Sequence, residues 1–464
     1  MKNNGKTGQS FLAGAVIISI GGFVSKLLGA VYRIPLTNFL GGEGMGIYQM
    51  VYPLYCILLT VSASGIPTGI SRLISSGSGA GAERQAFRLY GAVGIIGTLV
   101  MYLLSTPLAA LQGEPAIALC CKLLCPSVFF VSLLSVVRGY FQGKGNMLPT
   151  AATEIAEQLI KVGFGVAFAY IFRKNLALAV ASTLLAVTVS EVISTAAALL
   201  WYVKRRAKLP LYTLPSVPVK NILQFTVPLT LTAIALPLSQ LAESIIAVRL
   251  LRAGAENATA LYGIFSGCAV TIINLPVSVT YGLAASSVPQ ISPLAERGNI
   301  ADAKKKAFKA LLITLAVSLP AAVGLFFLAP VAAKLIFGSL EGAERELLIK
   351  LIKIMAVSSV TLSLVQTSSA CLTALGYPVR STITQWSTAI LRVGLTAGLI
   401  YFTDASISGA AWSANCAYFV AMLMNFWYIL RVTDKKKKGE SNENNADRFG
   451  NLKGRYNAQR KGSA

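Results

Sequence analysis

Apolar runs of about twenty residues or more recur along this chain, separated by short clusters of Gly, Pro, Asn and charge, and the rhythm predicts membrane-crossing helices. Twelve spans are expected, over residues 10–37, 45–73, 87–111, 116–140, 148–172, 178–203, 220–250, 259–288, 306–336, 346–374, 378–402 and 407–431. At 1.5 Å per residue each can cross roughly 30 Å of hydrocarbon. Segments this long and this uniformly apolar are not barrel strands, and the stretches between them are too short for a soluble domain. Internal prolines at Pro53, Pro67, Pro228, Pro237, Pro276 and Pro320 predict tilted, kinked helices around a cavity.

The pattern carries one internal echo. "GYFQGKGNMLPTAATEIAEQLIKVG" at 139–163 aligns without gaps on "ACLTALGYPVRSTITQWSTAILRVG" at 370–394, pairing Gly145 with Gly376, Thr153 with Thr384, Lys161 with Arg392 and Gly163 with Gly394. The echo joins the span 4–5 region to the span 10–11 region, so each repeat holds six spans. An even number makes the two halves parallel, related by an axis along the membrane normal. The expected fold is therefore an all-α polytopic membrane protein of two six-helix lobes. Its expected divisions are an N-terminal segment 1–9, a first lobe 10–203, a linker 204–219, a second lobe 220–432 and a disordered basic tail 433–464.

Composition agrees with a bilayer as solvent: 55% of the residues are hydrophobic, only 13% are charged, and the mean hydropathy is +0.65. The net charge of +23 changes the picture only through its placement. Lys and Arg crowd the loops around 72–88, 138–144, 204–220 and 297–309 and the tail, whereas "LQGEPA" and "FTDAS" face the other way. The excess of cations places those loops and both termini on the cytoplasmic side of the membrane. The run Lys435–Lys438 is expected to lie on anionic lipid, and nucleic acid is not an expected partner. The first span is too long, and the residues before it too polar, for a cleaved signal peptide.

Histidine is absent, which excludes His-dependent catalysis, and the seven cysteines contain no CxxC pair. There is no Walker A pattern, no G-x-S-x-G and no metal-ligating carboxylate cluster, so neither an enzyme nor a nucleotide-driven pump is indicated. No metal and no cofactor is expected. Candidate chemistry rests instead on charges at bilayer depth, each of which costs at least about 2.5 kcal/mol unless it faces a wet cavity or a partner.

Lys26 lies close to mid-membrane in the first span, and Arg33 follows two turns later on the same face. Lys161 and its repeat mate Arg392 are placed near the midplane of spans 5 and 11. Glu157, four residues before Lys161, offers it an internal ion pair. Arg392 has no acid within a turn, so Glu191 in span 6, Glu243 in span 7 or an anionic substrate must answer it. Glu243 is the candidate for coupling to sodium or a proton, with Glu191 beside it. Arg72, at a cytoplasmic helix end, is placed to receive a phosphate.

The stretch "GGFVSKLLGAVYRIPLTNFLGGEGMGIYQMVYPLYCILLTVSASGIPTGISRLIS" at 21–75 resembles the start of the bacterial polysaccharide transporters of the sporulation protein B type. These group with lipid II flippases and multidrug exporters in the multidrug/oligosaccharidyl-lipid/polysaccharide exporter superfamily. The resemblance implies a multidrug-exporter-like fold and a cavity whose cations on helices 1, 2 and 8 hold the pyrophosphate of an undecaprenyl-linked saccharide. Lys26 and Arg33 match the helix 1 positions and Arg72 that of helix 2, while span 8 contains no basic residue. Glu243 matches the acid of the family's sodium site. The function so implied is a flippase for a lipid-linked oligosaccharide. An ion-coupled exporter of organic cations is the alternative, and a membrane enzyme or scaffold of envelope synthesis is a third class.

Overall fold

The computed structural model describes residues 11–63, 65–75, 82–205, 219–403 and 406–432. The expected N-terminal segment, most of the linker and the basic tail lie outside the described residues, as do both termini. All regular structure among the described residues is helical. The helices are α1 (Phe11–Ala63), α2 (Ile66–Ser75), α3 (Ala82–Gln112), α4 (Ala116–Leu124), α5 (Pro126–Gly143), α6 (Leu148–Ile171) and α7 (Leu176–Arg205). There follow α8 (Val219–Ala233), α9 (Ala235–Arg252), α10 (Ala258–Tyr262), a π-helical turn (Gly263–Ala269) and α11 (Val270–Glu296). The chain closes with α12 (Ile300–Phe327), α13 (Ala329–Ile336), α14 (Gly342–Ala374), α15 (Pro378–Phe402) and α16 (Ser408–Leu430).

Nine helical segments among the described residues are long and apolar enough to cross a membrane. One of them fuses the first two expected spans, because α1 runs through a kink at Gly41, whose φ of 65° is open to glycine but strained for other residues. The two expected spans that fall short are α6 and α15, the polar mates of the internal repeat. They carry Lys161 and Arg392, so the same charges that weaken their apolar signal mark them for a role inside the protein. The helices are consistent with the twelve expected spans. Large apolar side chains such as Phe327, Leu335 and Phe402 stand exposed on the outside, where lipid surrounds a membrane protein.

Three of the six expected prolines sit in helix interiors: Pro53 in α1, beyond its kink at Gly41, Pro276 in α11 and Pro320 in α12. The break in the seventh span falls at Ile234, between α8 and α9.

The repeat is visible in backbone detail. α5 and α14 end on left-handed glycines, Gly145 at φ 74° and Gly376 at φ 87°. After each glycine the chain bonds back in the same way, Asn146 N–H to Phe141 C=O at 3.0 Å and Tyr377 N–H to Leu372 C=O at 2.9 Å. This six-to-one closure satisfies carbonyls that the helix end would otherwise leave unpaired. The next helix in each half begins at once, and buried Thr153 and Thr384 turn their hydroxyls back onto Pro149 and Arg380. Two similar turns thus set Lys161 and Arg392 at corresponding places along α6 and α15.

α6 packs on α1 and α7, and α5 on α2, α3 and α7. In the second half of the chain α14 packs on α11, α12 and α16, and α15 on α9 and α16. α1 reaches across to the second half, meeting α9, α10, the π turn and α11. There Gly46 and Gly263 meet without side chains: a Cβ on Gly263 would stand 1.9 Å from the Gly42 carbonyl oxygen.

Candidate functional site

A cavity of about 390 Å³ opens between α1 and α6 on one side and α11 and α14 on the other. Its charged lining among the described residues consists of Lys26 and Arg33 from α1 and Lys161 from α6, with no carboxylate among them. α11 contributes Thr271, Asn274, Ser278 and Tyr281. Lys26 places its Nζ 3.0 Å from the centroid of the Tyr281 ring, and Arg33 donates from Nη1 to Thr271 Oγ1 at 3.2 Å. Both first-helix cations therefore touch the second half of the chain, held by a ring face and a hydroxyl rather than by an opposing charge.

The wall also holds polar atoms with nothing to bond. Ser25 Oγ, Tyr32 Oη, Gln158 Oε1 and Gln366 Oε1 are buried without a hydrogen-bond partner, and all four residues line this cavity. Such groups normally find a partner, since each orphan costs about 1–3 kcal/mol. Tyr48 and Tyr52, one turn apart and stacked with centroids 5.4 Å apart, complete an aromatic patch beside the cations. The arrangement suits a polyanion with many oxygens: three positive charges for its charge, and hydroxyls and amides for the rest.

The π turn helps to set this geometry. A widened turn displaces one carbonyl from the regular ladder, and the Ser266 carbonyl accepts from Gln49 Nε2 at 2.8 Å. α11 then starts at Val270 with Thr271, Asn274, Ser278 and Tyr281 along one face.

Lys161 also lines a second cavity, of about 370 Å³, within the first half of the chain, together with Arg138, Glu154, Glu157 and Glu191. Glu157 is not the partner of Lys161 that its spacing suggests. Its Oε2 accepts from Arg138 Nη2 at 3.1 Å, and Arg138 Nε donates to Thr153 Oγ1 at 3.0 Å. A guanidinium on the neighbouring α5 offers better-directed donors than a lysine one turn along the same helix.

In the second half, Arg392 meets Glu243 in a buried two-point ion pair, Nη2 to Oε2 at 2.7 Å and Nε to Oε1 at 3.1 Å. Arg392 Nη1 adds a bond to Tyr418 Oη at 2.7 Å, and Thr396 Oγ1 donates to Glu243 Oε1 at 3.4 Å. Of the three answers open to Arg392, the structure selects Glu243. Consequently Arg392 lines a neighbouring, mainly apolar cavity with Tyr418, which shares Tyr281 and Gln366 with the first, and Glu243 holds a guanidinium where a coupling cation was expected.

Of the five cations assigned from sequence to the anion site, the structure gathers Lys26, Arg33 and Lys161 and leaves two outside. Arg392 is drawn away by Glu243, and Arg72 stands exposed on the short helix α2, off the cavity wall. The third cation comes from α6, not from helix 8. Sequence reasoning missed Tyr32, Thr271, Asn274, Tyr281 and Gln366; the amides Asn274 and Gln366, polar residues inside apolar runs, were the legible signal.

Fold and cavity together define a class: an all-helical, multi-pass membrane protein with a cation-lined chamber between its halves. Residues 11–295 match the polysaccharide biosynthesis protein family, and the chain belongs to it. It is 27% identical to stage V sporulation protein B of Bacillus subtilis, over 91% of this chain and 84% of that protein. With the lipid II flippase MurJ of the same organism the identity is 22%, over 91% of this chain and 83% of that one. Among solved structures it resembles a multidrug resistance MATE family transporter of the MOP superfamily in an inward-facing conformation. That likeness, at 19% identity and a TM-score of 0.75 over 91% of this chain and 99% of the other, shows that the fold is MATE-like.

Proposed function

We propose that this protein is a flippase that carries an undecaprenyl-pyrophosphate-linked saccharide, lipid II or another cell-envelope unit, across the bacterial cytoplasmic membrane. The observation that carries the reading is the cavity wall, with Lys26, Arg33 and Lys161 as its charges and no carboxylate among its lining residues. A pyrophosphate entering the membrane loses its water, and the three cations with the unpaired hydroxyls and amides replace it. The kinship with a lipid II flippase and a sporulation protein supports a lipid-linked sugar as the cargo. Export of organic cations fits less well, because three like charges would repel such a substrate.

Flipping of a fluorescent undecaprenyl-pyrophosphate saccharide in proteoliposomes tests the proposal, with Lys26→Ala, Arg33→Ala and Lys161→Ala beside the unaltered protein. A charge-assisted bond is worth about 1.5–3 kcal/mol, so each variant should lose roughly ten-fold to a hundred-fold in transport efficiency while folding normally. Unimpaired flipping by all three would remove the cavity from the mechanism.

A further inference from the structure

We infer that the cavity within the first half of the chain is a proton site, in which the carboxyl groups of Glu157 and Glu191 hold one proton between them and Lys161 links its occupancy to an anion in the central cavity. Glu191 is 2% exposed and lines this cavity, yet its Oε2 has no hydrogen-bond partner. Ion pairs among the described residues join Arg138 to Glu157, Arg252 to Glu114, Lys305 to Asp302 and Arg392 to Glu243, leaving Glu191 without one. Glu191 faces the same cavity as Glu157, whose own contacts are Arg138 and the Gln158 amide at 3.4 Å. Carboxyl groups that face one small cavity away from water repel each other when both are ionised, and one proton held among them relieves that repulsion.

The charge balance of the cavity points the same way. Its ionisable lining is Tyr52 and Tyr55 from α1, Arg138 from α5, Glu154, Glu157 and Lys161 from α6, and Glu191 from α7. Three carboxylates face two cations, and one proton brings the group to neutrality. A bound metal cation is a poorer fit, with a guanidinium already on Glu157 and an ammonium in the same wall.

Lys161 supplies the link. It is 8% exposed, forms no ion pair among the described residues, and lines both cavities. A phosphate in the central cavity attracts the ammonium and removes positive charge from beside Glu157 and Glu191. The pair then binds its proton more tightly, and by reciprocity a proton on the pair favours the anion. This link rests on the anionic substrate proposed above; the proton site does not.

Infrared difference titration of the purified protein in lipid nanodiscs tests both. The expected result is a protonated-carboxyl C=O band that disappears as pH rises, is missing from Glu191→Gln, and keeps its midpoint when sodium is replaced by choline. No such band, a band that survives in Glu191→Gln, or a midpoint that follows sodium would overturn the proton site. Adding farnesyl diphosphate as a short polyprenyl diphosphate should raise the midpoint by about one pH unit in the unaltered protein and leave it unmoved in Lys161→Met. Binding of that probe without a shift overturns the link. Failure of the probe to bind removes the functional reading and the link with it, while the band in the unliganded protein still decides the proton site.

Discussion

Arg392 and Glu243 have withdrawn from water together, and each is tolerable only because of the other. Removing one partner of such a pair strands a buried charge and typically costs about 3–5 kcal/mol, whereas replacing both by apolar groups of similar size is often close to neutral. Arg392→Met should therefore lower the thermal unfolding midpoint sharply, and Arg392→Met with Glu243→Leu should restore most of the loss. A double variant less stable than the single one would show that the pair does not stabilise the fold in this way. At this scale the sequence was legible for which charges lie within apolar helices and not for partnership. Hydropathy placed Lys26, Lys161 and Arg392 at mid-membrane, and spacing along one helix offered Glu157 to Lys161. The true partners of Glu157 and Arg392 lie on neighbouring helices, 19 and 149 residues away in sequence, and no one-dimensional pattern records that approach.

The helices themselves were easier to read, since a long apolar run bounded by Gly, Asn and charge has few alternatives in a bilayer. The paired turns at Gly145 and Gly376 are the best case, because matching glycines in the aligned repeats adopt matching left-handed conformations. Alanine at either position adds a Cβ where the backbone disfavours one, so Gly145→Ala and Gly376→Ala should each destabilise by about 1–2 kcal/mol in thermal unfolding, without changing the lining of the central cavity. Equal stability of both variants with the parent would show that the turns relax freely. The kinks were less legible. Prolines do not mark every irregularity, since the π turn at Gly263–Ala269 carries no proline at all. Its cause is tertiary: Gly42 and Gly46 press on it from α1, and Gln49 takes up its Ser266 carbonyl.

For the whole molecule, the first and second halves of the chain are stitched together by polar contacts at the helix ends that the charge pattern assigns to the outer surface. Asn38 Nδ2 donates to the Ile336 carbonyl at 3.2 Å and Ser339 Oγ donates to Asn38 Oδ1 at 3.1 Å. Nearby, Arg249 Nε donates to the Leu111 carbonyl at 2.8 Å and Arg252 Nη1 to that of Gly113 at 2.6 Å. If transport requires the halves to part here, Asn38→Cys with Ser339→Cys, in a background freed of the seven native cysteines, should form a disulfide that stops flipping until reductant is added. Transport that continues through the cross-linked form would mean that this seam stays closed throughout the cycle. Several acceptors along the seam are main-chain carbonyls, which every residue type possesses. The helix ends and the turn that present them can therefore change their side chains over generations without unpicking the join, and a shape of this kind can outlast the spelling that first encoded it.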